Sequence, residues 1–264
     1  MSKYWQLLKN WTMRHLAYRG RVLIWFIVDG LQVLVFPFIW LHVYGDRTTL
    51  HGFSRADIVG YYVVLTYLNI VATGHISRII RADIMQGDLN SHLVRPLNYF
   101  FFRAFHELSY HLIYLPFTTL LLVALTWQFP QLVSRPAAAV TWVLFAVAVV
   151  LSFILSLCLE VLVGLGTFWL KETAGLGQLK SLLEAVFSGS LAPLAFYPLI
   201  LQKVAGFLPF QYLIWFPLQI YLNKLTPLAL WSGFFSIALW LVFLGLLIVL
   251  VWRRGLRQYE GAGI

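Results

Sequence analysis

Residues 78–97 read RIIRADIMQGDLNSHLVRPL, and this stretch is the longest polar interval in a chain that is otherwise strongly apolar. It begins with a helical pattern, because Ile80 and Ile84 are four residues apart and lie on one helix face. Gly87 and Pro96 then interrupt the pattern. We therefore expect a short amphipathic helix that ends in a proline turn and is held between two membrane spans, where it can transmit force to a soluble partner.

The composition around this stretch is that of an integral membrane protein. Of the 264 residues, 61% are hydrophobic and 11% are charged, whereas a soluble domain has about 25% charged residues. The apolar runs are about 20 residues long and do not alternate, which favours membrane helices over a β-barrel, whose strands alternate over about ten residues. The single cysteine, Cys158, excludes a disulfide framework within the chain.

Six apolar segments are predicted to cross the membrane, so that the chain forms one all-α transmembrane domain over residues 1–264. About 20 residues suffice for one crossing, which leaves the fourth segment long enough to tilt or to project beyond the bilayer. The predicted spans are residues 22–43, 57–76, 108–128, 137–170, 178–190 and 229–252.

Residues 1–21 precede the first span and are predicted to form an amphipathic helix in the membrane interface. At about 100° per residue, Leu7, Leu8 and Trp11 share one stripe, and Arg14 lies on its flank. A basic helix with tryptophan on its apolar face is typical of a helix that lies in the interface. The alternative is an ordinary solvated helix.

Two connections between spans are long enough to carry structure of their own. Residues 77–107 join the second and third spans and contain the opening stretch. Residues 191–227 are apolar, but five prolines leave no piece between them long enough to cross. Non-helical backbone at membrane depth is tolerated only where it is buried in protein or lines a cavity. We therefore expect short re-entrant or interfacial helices before the sixth span.

The distribution of charge predicts how the chain is oriented. The net charge of +9 would also fit a nucleic-acid-binding protein, but with six spans fourteen of the nineteen Lys and Arg residues fall on the side that holds both termini. Cytoplasmic loops carry an excess of basic residues. Both termini and residues 77–107 are therefore predicted to be cytoplasmic, in a multi-pass protein of the plasma (bacterial inner) membrane. The bilayer is the expected environment, and no nucleic-acid partner is expected.

Polar residues inside the predicted spans are candidates for lining a substrate path. A charge at bilayer centre costs about 2.5–3.5 kcal/mol, so Asp29, Glu160 and Glu184 are expected to face the protein interior, and Asn69 is a further candidate. Glu184 follows Lys180 by one helical turn, which favours an intrahelical ion pair. Glu160 has no local partner and is predicted near mid-membrane, where it either lines a path or makes a contact between helices.

Nucleotide-binding and metal motifs are not predicted on this chain. The sequence lacks the GxxxxGK[ST] phosphate-binding loop. Residues 106–111 read HELSYH, an HExxxH pattern whose five-residue step turns a helix through about 500° and leaves the two histidines about 140° apart. That separation suits one metal ion poorly. We expect no catalytic residue, metal or cofactor here.

Several strings of the sequence resemble the permease subunits of type-2 ABC exporters, in particular the daunorubicin-type and uncharacterised six-span group. Residues 84–89 running into 93–97 are similar to the cytoplasmic signature of that group. Residues 188–193, with the prolines that follow, are similar to its segment before the last span. Residues 253–263 resemble its terminal motif, and residues 17–19 fit as well. The resemblance covers nearly the whole chain.

The resemblance implies an assembly in which two permeases, identical or paralogous, each dock on an ATP-binding subunit, so that two copies of that subunit are present. ATP and magnesium belong to that partner. The connection between spans two and three carries the coupling helix, the N-terminal helix packs beside it, and the re-entrant helices form an outer lid. The residues expected to couple to the partner are Asp83, Gln86, Gly87, Asp88, Leu89, Arg95 and Pro96.

Three hypotheses of function follow. The first is the membrane half of an ATP-driven exporter that moves an amphiphilic, small-molecule or lipid-like substrate outward by alternating access. The second is a stand-alone secondary transporter that uses Glu160 and Glu184 as proton or cation sites. The third is a membrane acyl or phosphate transferase, for which the only candidate region is residues 106–111.

Overall fold

The computed structural model describes residues 3–17, 35–128, 136, 138–170 and 174–259. Within these ranges the chain is mainly helical, with short turns and one hairpin, in which strand β1 (Thr49–Leu50) pairs with strand β2 (Phe53–Ser54). The helices are α1 (Lys3–Ala17), α2 (described over Val35–Tyr44), α3 (Arg55–Val71), α4 (Ser77–Met85), α5 (Leu89–Leu93), α6 (Tyr99–Gln128), α7 (Ala139–Leu165), α8 (Ala174–Phe187), α9 (Leu199–Phe207), α10 (Trp215–Tyr221) and α11 (Pro227–Gln258).

Three of the described helices are long and apolar enough to cross a membrane, namely α6, α7 with its 3-10 extension to Phe168, and α11. A fourth crossing is possible if Leu199–Phe207 and Pro209–Tyr221, which meet at 80°, form one broken span. Helix α3 has 17 residues and is about 26 Å long, slightly less than the ~30 Å hydrocarbon core. The all-α prediction is confirmed, and the count of six spans stays a prediction.

Helix α6 begins at Tyr99, nine residues before the predicted start of the third span. The cause is local. The Asn98 side-chain oxygen accepts hydrogen bonds from the backbone N–H groups of Phe100 at 3.0 Å and Phe101 at 3.1 Å. Asparagine at this position satisfies the first amides of a helix, which otherwise have no partner. Residues 99–107 of the predicted connection are therefore helical, and the point at which α6 enters the membrane stays a prediction.

The long helices join two ends of the molecule. Near the start of α7, the Trp142 and Tyr221 rings lie 5.5 Å apart, which places α10 at that end. Near the end of α7, a Cβ added at Gly164 would lie 2.7 Å from the Cβ of Ile80, so α4 lies against the helix there. We call the first the hairpin end, since it also holds β1 and β2, and the second the elbow end.

The same kind of contact, an aromatic ring packed against a glycine, holds helix α11 near both of its ends. A Cβ added at Gly233 would lie 2.0 Å from the Phe216 ring, and one added at Gly255 would lie 2.1 Å from the Phe168 ring. Only glycine allows each ring to seat directly on the helix backbone. Only 11% of its most apolar stretch is buried, so α11 presents an apolar outer surface of the kind that faces lipid.

Candidate functional site

The opening stretch forms a bent pair of short helices, α4 and α5, which we call the elbow. Helix α4 ends at Met85, and Gly87 follows with φ +79°. That left-handed conformation favours glycine and lets the chain turn into α5 without strain. The elbow therefore projects from the ends of the long helices as a defined turn.

One side of the elbow is exposed and mixes apolar and polar side chains. Val94 is 84% exposed and Met85 is 50% exposed. Gly87 is half-buried beside them. We define the elbow tip as the exposed residues Met85, Gln86, Asp88, Asn90, Leu93, Val94, Arg95 and Pro96.

The other side of the elbow is buried, and it includes two residues that were predicted to contact a partner. Asp83 is 5% exposed and Leu89 is fully buried. Leu89 packs in an apolar cluster with Ile80, Tyr99 and Leu165. The expectation that Asp83 and Leu89 form part of a docking surface is therefore corrected. Each faces the protein, because Asp83 has a buried cation partner and Leu89 fills the core, so any part they play in coupling is by positioning.

We call the buried polar group under the tip the elbow base, formed by Asp83, His92, Tyr99 and Arg103. Arg103 of α6 makes an ion pair with Asp83, and the Tyr99 hydroxyl donates a hydrogen bond to the same carboxylate at 2.5 Å. The Arg103 guanidinium also lies 3.2 Å from His92 Nε2. Because the charge pair is removed from solvent, it fixes the elbow on α6 in one geometry.

This environment favours the neutral form of His92. Burial and the nearby Arg103 cation lower the pKa of His92 below its ordinary value. Its ring packs against Phe102, with centroids 4.9 Å apart. A neutral imidazole can accept a hydrogen bond from the guanidinium through Nε2.

Helix α1 packs beside α6, next to the elbow base. Trp11 makes edge contacts with Phe102, at 4.7 Å between ring centroids, and with His106, at 5.1 Å. Leu8 is buried, Leu7 is half-buried, and Arg14 is exposed. The predicted apolar stripe of this helix therefore faces protein at Leu8 and Trp11. Its location in the membrane interface stays a prediction.

The break between α3 and α4, residues 72–76, is held by side chains of α6 and α7. The backbone N–H of Gly74 donates to the Ser156 hydroxyl at 2.9 Å, and that of His75 donates to the Glu107 carboxylate at 2.8 Å. The backbone N–H of Ser77, the first residue of α4, donates to the Glu160 carboxylate at 3.0 Å. Glu107 and Glu160 are each buried, so these bonds give the backbone amides of the break acceptors from within the protein.

His111 completes this clamp on the break. Its Nδ1 lies 3.0 Å from the Glu107 carbonyl oxygen, and its Nε2 lies 2.9 Å from the Thr73 carbonyl oxygen. The HExxxH pattern therefore ties α6 to the break through Glu107 and His111. No group of residues suited to hold a metal ion is found among the described residues.

Glu160 is better placed than the sequence suggested for a structural role. Besides the Ser77 amide, its carboxylate lies 3.0 Å from Lys180 Nζ. Lys180 also pairs with Glu184, as the one-turn spacing predicted. Glu160 lies 21 residues after Ala139 and five before the end of α7, about 32 Å along the helix. It is therefore near one end of α7, and its depth in the membrane stays a prediction.

Glu184 shares Lys180 with Glu160, whereas no described contact joins Asn69 to Glu160. Asn69 is half-buried on α3, and its backbone carbonyl accepts a hydrogen bond from the Thr73 hydroxyl. Asp29 lies outside the described residues. Sequence reasoning missed Arg103 and Ser156 as functional residues. The signal in both was a polar side chain within an apolar helical run, where a buried partner is required.

At the hairpin end, tyrosine hydroxyl groups and an ion pair join segments that are far apart in the chain. Tyr61 donates to the Gly189 carbonyl, and Tyr62 donates to the Leu191 carbonyl at 2.9 Å. These bonds attach the segment before α9 to helix α3. Lys224 Nζ lies 2.9 Å from the Asp57 carboxylate, with both side chains partly exposed.

A family model described as "ABC-2 family transporter protein" matches residues 30–263, which is nearly the whole chain. No curated protein and no solved structure matches.

Proposed function

Because the chain belongs to the ABC-2 family of transporter proteins, we propose that it is the permease subunit of an ATP-driven exporter and receives force at the elbow tip from a separate ATP-binding subunit. It is a multi-pass membrane protein and a transport component. In the proposed assembly two permeases, identical or paralogous, pair in the inner membrane, with six spans each and cytoplasmic termini. Two ATP-binding subunits lie beneath them and hold the ATP and magnesium.

The observation that carries this proposal is the contrast between the two sides of the elbow. The tip exposes apolar side chains such as Val94 and Leu93 among polar ones, as expected of a docking surface that a partner covers. The base fixes the same element on α6 through Asp83 and Arg103. A force applied at the tip therefore reaches the long helices without first deforming the elbow.

The proposed transport step is an outward movement of an amphiphilic or lipid-like substrate by alternating access. ATP binding would bring the two partner subunits together, and the elbows would then shift the spans of both permeases. Such a change is driven only if the ATP-bound partner binds the two states of the permease with different free energies.

Substitutions at the tip test this proposal. Asp88→Arg reverses a charge on the exposed docking face, and Gly87→Trp places a bulky side chain at φ +79°. We expect either change to abolish transport that depends on ATP, while the permease still inserts and the partner still hydrolyses ATP. The measurement is substrate export and ATP hydrolysis by the purified complex in proteoliposomes.

The hairpin end supplies matched controls. Asp46→Arg reverses an exposed charge at that end, and Gly52→Trp adds the same side chain at φ +80° with no atom near the added Cβ. Both should leave the ratio of export to hydrolysis unchanged. If the tip variants also export normally, the coupling assignment is wrong.

The alternative of a stand-alone secondary transporter has less support. It requires Glu160 and Glu184 to bind a proton or a cation during transport. Both carboxylates already bind Lys180, and Glu160 also accepts the amide of Ser77. Groups that hold helices together in this way are poorly suited to load and release an ion in each cycle.

A further inference from the structure

The outer surface of α11 changes from apolar to basic near the elbow end. Exposed large apolar side chains occur along this helix from Leu228 to Leu250. At 1.5 Å per residue these two positions are about 33 Å apart, close to the thickness of the hydrocarbon core, which is about 30 Å. Arg253, Arg254 and Arg257 follow, and all three are exposed. A bilayer that covers the apolar stretch therefore ends beside these arginines, at the level of the lipid headgroups.

The three arginines lie on the same face of α11 as a stripe of apolar side chains. The stripe consists of exposed residues at intervals of four, three and four positions, namely Leu239, Phe243, Leu246 and Leu250. Arg253 and Arg257 continue this spacing by three and four positions, and Arg254 lies beside them. One elongated ligand can therefore contact apolar and basic side chains of a single helix face. A phospholipid has this pattern, with acyl chains that end in a charged headgroup.

The charge of this surface favours an anionic headgroup. Among the described residues, no acidic side chain forms an ion pair with any of the three arginines. Guanidinium groups bind phosphate oxygens through two parallel hydrogen bonds, and basic residues near the membrane surface attract anionic lipids. The other end of α11 differs, because Lys224, three positions before the helix begins, already pairs with Asp57.

This surface adjoins the elbow base. Trp252, the residue before the arginines, stacks on Tyr99, with ring centroids 5.3 Å apart and ring planes at 11°. We propose that Arg253, Arg254 and Arg257 bind the headgroup phosphate of an anionic phospholipid whose acyl chains lie along the apolar stripe. A lipid bound in this way holds the elbow end of α11, and with it the elbow base, at the bilayer surface. The binding requires only that the chain lies in a membrane, so its failure would leave the proposed ATP coupling untouched.

The experiment compares spin-labelled phosphatidylglycerol with spin-labelled phosphatidylcholine for association with the purified chain in phosphatidylcholine nanodiscs. The wild type should prefer phosphatidylglycerol. Each basic residue near an anionic surface contributes about fivefold, so Arg253→Gln/Arg254→Gln should lower this preference by about 5- to 25-fold. Arg253→Lys/Arg254→Lys keeps both charges and should retain most of the preference. Thermal unfolding of each variant establishes that it is folded.

The matched control is Arg47→Gln/Lys203→Gln, which removes two exposed cations outside α11. It should retain the preference for phosphatidylglycerol. Sodium phosphate and sodium chloride at equal ionic strength should displace the lipid equally, whereas stronger displacement by phosphate would assign the arginines to soluble phosphate compounds. No loss in the α11 variant would point to a soluble acidic partner instead. Either result, a wild type without preference, or equal losses in both double Gln variants would overturn the proposal.

Discussion

The elbow end and the hairpin end are both joined across distant parts of the chain, but by different chemistry. At the elbow end, the partners are buried charges, as in Asp83 with Arg103 and Glu160 with Lys180. At the hairpin end they are chiefly neutral hydroxyls, as in Tyr62 with the Leu191 carbonyl. A buried charge that loses its partner is far more costly than a neutral hydrogen bond that is lost. We therefore expect the elbow end to move as a unit, whereas the hairpin end can exchange its contacts.

The largest expected effect breaks the charge pair of the elbow base. Arg103→Met leaves the Asp83 carboxylate buried without a cation, and we expect the free energy of unfolding to fall by about 3–5 kcal/mol. Thermal and denaturant unfolding of the detergent-purified chain measure it. Asp83→Leu/Arg103→Met, which removes both charges, should recover most of that loss.

Lys224→Met provides the matched change at the hairpin end. It removes the pair with Asp57, in which the side chains are 23% and 17% exposed. Partial exposure weakens the pair, so a cost of about 1 kcal/mol or less is expected. If Lys224→Met proves as costly as Arg103→Met, the contrast between the two ends does not hold.

The next prediction distinguishes the two contacts of the Glu160 carboxylate, one with the Ser77 amide and one with Lys180. Glu160→Ala removes both the acceptor for the Ser77 amide and the partner of Lys180, and should cost about 2–4 kcal/mol. Glu160→Gln keeps one oxygen, which can serve only one of the two donors, and should cost about 1–2 kcal/mol. The same unfolding measurements apply. Equal stability of the two variants would show that the shared carboxylate does not join α4 to α8.

A smaller effect is expected from the neutral bonds of the hairpin end. Tyr62→Phe removes the hydroxyl that donates to the Leu191 carbonyl and accepts from Trp40 Nε1. The loss should be about 1 kcal/mol. Amide hydrogen exchange should become faster in residues 191–198 and stay unchanged in residues 77–93. Faster exchange in both segments would mean that the stabilities of the hairpin end and the elbow end are coupled.

The smallest effect is a dependence of stability on pH through His92. Because the pKa of His92 is lowered from its ordinary value of 6.5, the unfolded chain binds the proton first. The stability contributed by the neutral ring is therefore full above about pH 6.5 and is lost as the pH falls from 6.5 toward the folded-state pKa. Melting temperatures of the wild type and of His92→Gln, recorded on both sides of pH 6.5, should converge as the solution is acidified.

The sequence predicted the features that depend on residues close together in the chain. The four-residue spacing of Ile80 and Ile84 predicted α4, and the spacing of Lys180 and Glu184 predicted their ion pair, because such contacts repeat with the helical turn. The early start of α6 was missed although Asn98 was a readable cap.

What could not be predicted depends on residues far apart in the chain. Glu160 meets Ser77, 83 positions earlier, and Lys180, 20 positions later. Neither spacing follows from a helical repeat, so a single sequence gives no sign of either contact. The burial of Asp83 likewise depends on Arg103, on a different helix. The elbow could therefore be located from the sequence, but not the division between its exposed tip and its buried base.

The clamp on the break between α3 and α4 sets an order for biogenesis. The buried amide of Gly74, in the predicted second span, finds its acceptor in the Ser156 hydroxyl, 82 positions later in the chain. In lipid, unsatisfied backbone groups cost several kcal/mol each. At about 5–20 residues per second, a ribosome needs roughly 4–17 s to make the intervening chain. Until then, we expect this break to wait in water, at the membrane surface or inside the insertion machinery, so the nascent chain cannot assemble strictly one helix after another.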